Sequence, residues 1–263
     1  MFPLSLTSQQ LVPADLARLQ VEMEHARRIQ FSLLPKTPPS IPGLDIWGIC
    51  QPAAHVGGDF YDFITHPDQT LTFFVGDVSG MSVPAALLMT MARAILRAEV
   101  DSQLDPTPES ILQNANKKLL ADFIEAGMFV TAFIGQYDPH SRELVYANAG
   151  HSPVIFCPAS EKARLLEADG TALGVLQESL SRNHYLCLSK GDVLVTATDG
   201  LNEARNSRCE YFGVDRLLNR VQGLASRSAM EISDTLLGVI QDFCGTEPQT
   251  DDQTVVVLRC TGQ

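Results

Sequence analysis

The sequence predicts an α+β fold, with β-sheets covered by paired helices rather than a regular βαβ winding. Three observations point there. Short runs rich in β-branched and aromatic residues recur at 71–76, 128–137, 143–147, 154–157, 184–188, 192–197 and 254–260, each bounded by Gly, Pro, Asp or Ser. Asp138-Pro139-His140-Ser141 is a hairpin turn between two of them. Helical patterns at 83–100, 108–125, 213–221 and 228–243 come in pairs instead of alternating with the strands. With 263 residues, 45% of them apolar, the chain can bury one large core.

Taken in order, residues 1–14 read as a flexible lead, with two prolines among polar side chains. Asp15 is placed to cap a helix over 15–34, the linker or regulatory helix. Leu16, Leu19, Met23, Ala26 and Leu33 fall at three- and four-residue steps, with Gln30 the polar exception. This short seam fits either a helix lying on its own domain or a linker joining two copies as a homodimer. Pro35, Pro38, Pro39 and Pro42 break the helix, and residues 35–263 form the main domain. Segment 108–125 opens with Pro-Glu, as first turns do. Segment 228–243 places Met230, Leu236, Leu237, Ile240 and Phe243 at helical spacing.

Composition narrows the function. The formal net charge is −12. That argues against nucleic acid as a partner, because phosphate backbones need clustered Lys and Arg. The six cysteines are scattered without a CxxC pair, which fits free thiols in a reducing compartment and not a zinc knuckle. No run reaches the roughly 18 apolar residues of a membrane span, and the first residues lack the basic and apolar regions of a signal peptide. The expectation is a cytoplasmic protein with no membrane partner.

The aspartates carry the chemistry. Asp59 and Asp62 lie in GGDFYD; Asp77 ends the apolar run LTFFVGD; Asp199 follows DVLVTAT; Asp251 and Asp252 precede TVVVLRC. Any one of them is equally a turn residue, since Asp-Gly is a common turn pair. Strand ends converge at one edge of a sheet, however, and carboxylates gathered there resist ionisation unless a cation sits among them. Oxygen donors without convergent His or Cys suit Mg²⁺ or Mn²⁺ and not zinc. Two such ions about 3.5–4 Å apart activate a bridging water for in-line attack on phosphorus.

The order GGDFYD, GDVSGMSVPAALLM, FVTAFIGQYD, YANAGHSP, TDGLNEARN, DDQTVVV resembles the SpoIIE and RsbU type of bacterial phosphatase, relatives of the eukaryotic type 2C enzymes. The likeness runs over about residues 26–259, and EHARRIQFSLLP resembles the family's linker helix. The resemblance implies a four-layer α-β-β-α sandwich with central mixed or antiparallel sheets, and hydrolysis of phosphoserine or phosphothreonine with two Mn²⁺ or Mg²⁺ ions. It implies that Asp77 bridges both metals, that the Val78 carbonyl binds one, that Asp199 and Asp251 complete one site, and that Asp59 binds the other mostly through water. Asp252 is the reserve for Asp251, and Asp62 a spare carboxylate nearby. The substrate implied is a phosphorylated regulator such as an anti-sigma-factor antagonist of the STAS fold.

One departure stands out. The family's GHG or GKG loop reads Gly80-Met81-Ser82 here, losing a glycine that reaches positive φ easily. That motivates an alternative, a catalytically degenerate domain that binds a partner. A metal phosphodiesterase or nuclease shares the aspartate logic but not the charge. His151 is expected to brace the site from beneath rather than act as an acid. Arg205 is open between steering a phosphate and a surface ion pair.

Overall fold

A computed structural model describes residues 13–102, 106–178 and 180–262. The expected lead therefore falls outside the described residues except at 13 and 14. Those two are already helical in α1 (Pro13–Leu33). Asp15 lies in the first turn instead of capping it, where its charge still suits the helix dipole.

The chain continues through β1 (Leu44–Gln51), β2 (Asp59–Thr65), β3 (Leu71–Val78), α2 (Ser82–Ser102), α3 (Pro108–Ala126), β4 (Val130–Asp138), β5 (Glu143–Ala149), β6 (Val154–Cys157), β7 (Arg164–Leu165), β8 (His184–Cys187), β9 (Val193–Ala197), α4 (Val214–Leu224), α5 (Ala229–Cys244) and β10 (Gln253–Cys260). Two five-stranded sheets result, ordered β2-β3-β4-β5-β8 and β1-β10-β9-β6-β7. Every pairing between these strands is antiparallel, so the mixed-sheet option falls away. Helices α2 and α3 cover the first sheet, α4 and α5 the second.

Strand alternation builds the layers. On β10, Val255 and Val257 enter the core beneath α4 and α5, while Val256, Leu258 and Cys260 face the other sheet. On β9, Val193, Val195 and Ala197 make the same outward choice and Leu194 the inward one. Successive side chains point to opposite faces, and both faces are covered, so these strands are apolar at nearly every position. Capping fixes two helix starts. Thr107 and Ser110 form a reciprocal capping box before α3, and Ser228 with Glu231 does so before α5.

Strands β1, β2 and β7 escaped the sequence pattern. In β1, Gly48 interrupts the run because the Tyr61 ring lies against it, leaving no space for a Cβ. In β2, two aspartates hide a strand, since Asp is depleted in sheets. The α1 seam divides: Leu16 and Leu19 are 47% and 48% exposed, whereas Met23, Ala26 and Leu33 are half-buried and Gln30 is buried. No helix among the described residues is long and apolar enough to cross a membrane.

Candidate metal centre

The pairing of β2 with β3 sets Asp59 directly opposite Asp77, and the pairing of β3 with β4 sets Asp77 opposite Thr131. Residues opposed in an antiparallel pair share a face. This face looks toward the second sheet, because Tyr61, two residues from Asp59, donates its hydroxyl hydrogen bond to Gly48 O of β1 at 2.9 Å. From that sheet, Thr198 at the end of β9 donates to Asp59 Oδ2 at 2.7 Å. Its oxygen accepts from Thr254 N–H at 3.0 Å, which fixes the hydroxyl's direction. Asp199 follows, and Asp251 and Asp252 precede β10. The site thus lies at one end of the sandwich, between its sheets.

Electrostatics records the crowding. Asp59 is 3% exposed and its carboxyl is held well above the usual range, by burial first and then by Asp77 and Asp252. Burial, with Asp199 and Asp251 adding repulsion, raises Asp77 to about 7. Burial and the charges of Asp251 and Glu203 raise Asp199 to about 6. Asp251 is raised too, chiefly by burial. Glu203, which follows Asp199 by one turn and donates its N–H to Asp199 O at 2.8 Å, went unnoticed in the sequence although it stands in TDGLNE.

A hard cation suits this donor set: clustered carboxylates that retain protons for want of a counter-charge. Among the described residues, no three His, Cys, Asp or Glu side chains already stand close enough to form a ligand shell.

The neighbouring acids differ. The Asp252 carboxylate accepts from Ala53 N–H at 2.8 Å and from Gly58 N–H at 2.7 Å. A side chain at Gly57 would run into that carboxylate, and one at Gly200 into the Asp252 main chain. The glycines of GGD and TDG therefore admit a buried strut. Asp251 uses one oxygen to accept from Asp252 N–H at 2.8 Å and remains half-exposed. Asp62, the supposed spare carboxylate, is not part of the cluster. It points to the other face of β2 and pairs with Arg93 at 2.6 Å and Arg97 at 2.8 Å on α2.

His151 is 1% exposed, and its Nδ1 bonds Thr131 Oγ1 at 2.9 Å. Asn148 clamps its main chain at both N–H and C=O. Burial lowers the ring to about 4, so it is neutral. The Ala197 backbone approaches the ring, but Nε2 closes no hydrogen bond of normal geometry among the described residues. That is a brace behind Thr131. The Arg205 guanidinium lies 4.4 Å over the Tyr211 ring and donates to the Tyr211 hydroxyl.

Comparison with known proteins places the chain in a family. Residues 67–261 match the family model "Stage II sporulation protein E (SpoIIE)". Phosphoserine phosphatase RsbU of Bacillus subtilis is 31% identical over 245 residues, covering 92% of this chain and 70% of RsbU. Protein IcfG of Synechocystis is 29% identical over 91% of this chain, which spans 41% of IcfG. The SiaA-PP2C domain of Pseudomonas aeruginosa superposes with a TM-score of 0.83 at 24% identity, covering 94% of this chain and 99% of that domain. The chain belongs to the SpoIIE family, the SpoIIE/RsbU-type branch of the PPM serine/threonine protein phosphatases.

Proposed function

We propose that the chain removes phosphate from phosphoserine or phosphothreonine of a regulatory protein, using two Mn²⁺ or Mg²⁺ ions held by the acidic cluster. The observation that carries this is the meeting of Asp59 and Asp77 across β2 and β3 with Asp199 and Asp251 from the opposite sheet, all with raised proton affinity. Asp77, central in that set, and the Val78 carbonyl would hold the ions from the first sheet. Asp199 and Asp251 would hold them from the second sheet, with Asp59 as a further acid beside Asp77. Asp251 is preferred over Asp252 because the latter's carboxylate is committed to Ala53 and Gly58. When bound, the ions supply an activated water for in-line attack and offset charge on the phosphoryl oxygens. The chain's residues do the positioning: Thr198 orients Asp59, and neutral His151 fixes Thr131 beside Asp77.

The match to RsbU, a phosphoserine phosphatase, supports a phosphoprotein substrate; the substrate class proposed is an anti-sigma-factor antagonist of the STAS fold, in a cytoplasmic partner-switching setting. The degenerate-domain reading has little left to rest on. Ser82 adopts φ 61°, so the loop reaches left-handed geometry without the glycine. The test is hydrolysis of a phosphoserine protein and of p-nitrophenyl phosphate with and without Mn²⁺. Turnover should need the metal, and Asp77→Asn should lower it at least about 100-fold. Metal-independent turnover, or turnover unchanged in Asp77→Asn, would sink the reading.

A further inference from the structure

The end of the first sheet that carries Asp77 and Val78 also carries an apolar surface with no part in the chemistry above. Segments 79–92, 126–137 and 170–177 hold no charged residue, although the chain has a formal net charge of −12. Ala85 and Met89 take one face of α2 into the core, so Val83 and Leu87, one turn apart on the opposite face, meet solvent. Met81 and Leu87 are 63% and 69% exposed. Phe129, Val175 and Leu176 are exposed as well. Single exposed apolar side chains are ordinary, whereas a contiguous uncharged set marks a binding surface.

Hydrogen bonds tie these segments to one another and to the acids. Ser79, directly after Val78, donates its N–H to Phe129 O at 2.9 Å, and its Oγ accepts from Phe129 N–H at 2.9 Å. Met81 follows Val78 by three residues, hence at most about 11 Å away. Val130, next to Phe129, exchanges main-chain bonds with Leu173 at 3.0 and 2.8 Å. From there Asn116 of α3 accepts from Gly174 N–H at 2.9 Å and donates to Leu176 O at 2.9 Å. Val175 therefore lies on a clamped segment, and fixed backbone holds the rim outward beside the acidic cluster.

We propose that this rim, Met81, Val83, Leu87 and Phe129 with Val175 and Leu176 beyond, receives apolar side chains that flank the phosphoserine of the substrate. This rests on the acidic cluster being the metal centre. Position decides the occupant: a phosphoserine that enters the cluster brings its neighbours along the chain over the Ser79–Phe129 junction. The lack of charge decides the chemistry. Charged flanks would give up water for a surface that offers no counter-charge, whereas apolar flanks remove apolar area from water on both sides. The rim thus separates a phosphoserine in an apolar setting from one in a polar setting. p-Nitrophenyl phosphate has no flanking residues to place there.

The experiment uses the full chain with MnCl₂ and two phosphoserine peptides of about twelve residues, a length that reaches from the cluster to the rim. One carries leucine and phenylalanine on both sides of the phosphoserine, the other serine and glycine. The wild type should favour the apolar peptide about tenfold in kcat/KM, through KM rather than kcat. Phe129→Ser should cut that preference to within about threefold, with turnover of p-nitrophenyl phosphate also within about threefold of the wild type. Should Phe129→Ser fail to fold, Met81→Ser carries the same expectation. Met230→Ser removes an exposed apolar side chain from α5 and should leave the preference intact. A wild type without preference, a preference that survives in the folded rim variant, or its equal loss in Met230→Ser would overturn the proposal. So would self-association in sedimentation velocity that the rim variant abolishes, which would make the rim an interface between two copies. A wild type that turns over neither peptide nor p-nitrophenyl phosphate with Mn²⁺ overturns the metal-centre reading itself, and this inference with it.

Discussion

Asp59 and Asp62 lie three residues apart on β2, both buried, at 3% and 2% exposure, yet their surroundings are opposite. Asp62 faces α2 and meets two guanidinium groups, from Arg93 and Arg97. Asp59 faces the other sheet and meets carboxylates, with the Thr198 hydroxyl as the bonded donor. A buried charge with matched counter-charges holds structure together. A buried acid among acids retains a proton and awaits a cation. The same residue type on one strand thus meets counter-charges on one face and, in the function proposed above, serves the metal centre on the other.

Exchanging each acid for its amide is the strongest test of that contrast. Asp59→Asn should lower Mn²⁺-dependent turnover by about 10–100-fold while raising the thermal midpoint of metal-free protein, since an amide needs no proton taken up to be buried among acids. Asp62→Asn should lower that midpoint and leave turnover within about threefold. It strands two arginines and costs about 2 kcal/mol, below the value for a fully buried pair because Arg97 is 44% exposed. Denaturant unfolding with chelator present measures both, and equal stability changes would erase the contrast.

A second test uses pH. In the folded, metal-free protein Asp77 and Asp199 hold their protons up to about 7 and about 6, against 3.8 ordinarily. The folded state therefore binds more protons between those limits. Its stability is full below about pH 4 and falls as pH rises through 6 and 7. Mn²⁺ competes with those protons, so its affinity should climb over the same window. Thermal midpoints from pH 4 to 8, with chelator and with Mn²⁺, check both slopes. A metal-free midpoint that rises toward pH 7 would contradict the clustering.

The smallest effect sharpens the view of the loop. Ser82→Gly relieves a positive φ and should stabilise by about 0.5 kcal/mol after the added freedom of the unfolded chain is counted. Turnover should stay within about twofold. A large gain in kcat would show that Ser82 had been restraining the loop.

Legibility tracked the range of the forces involved. The two helix pairs, the Asp138–Ser141 turn and most strands were visible because capping, turn preference and apolar runs act within a few residues. The Asp77, Asp199 and Asp251 segments were visible as carboxylates at strand ends. β2 was not, because its aspartates violate strand preference and are satisfied only by α2 and the opposite sheet. Gln30 looked like a defect in a heptad because its partner, Gly57, lies in another part of the chain.

The sequence by itself determined the fold class, the family and the stock of oxygen donors, because composition, periodicity and ordered motifs are carried by neighbours along the chain. Only the tertiary structure decided which acid of Asp251-Asp252 is a strut, that Asp62 belongs to α2, and that Gln30 grips the glycine loop. Those outcomes depend on which backbone N–H groups and guanidiniums arrive from distant segments. Burial makes each unpaired polar group costly, so folding assigns every acid the partner it meets.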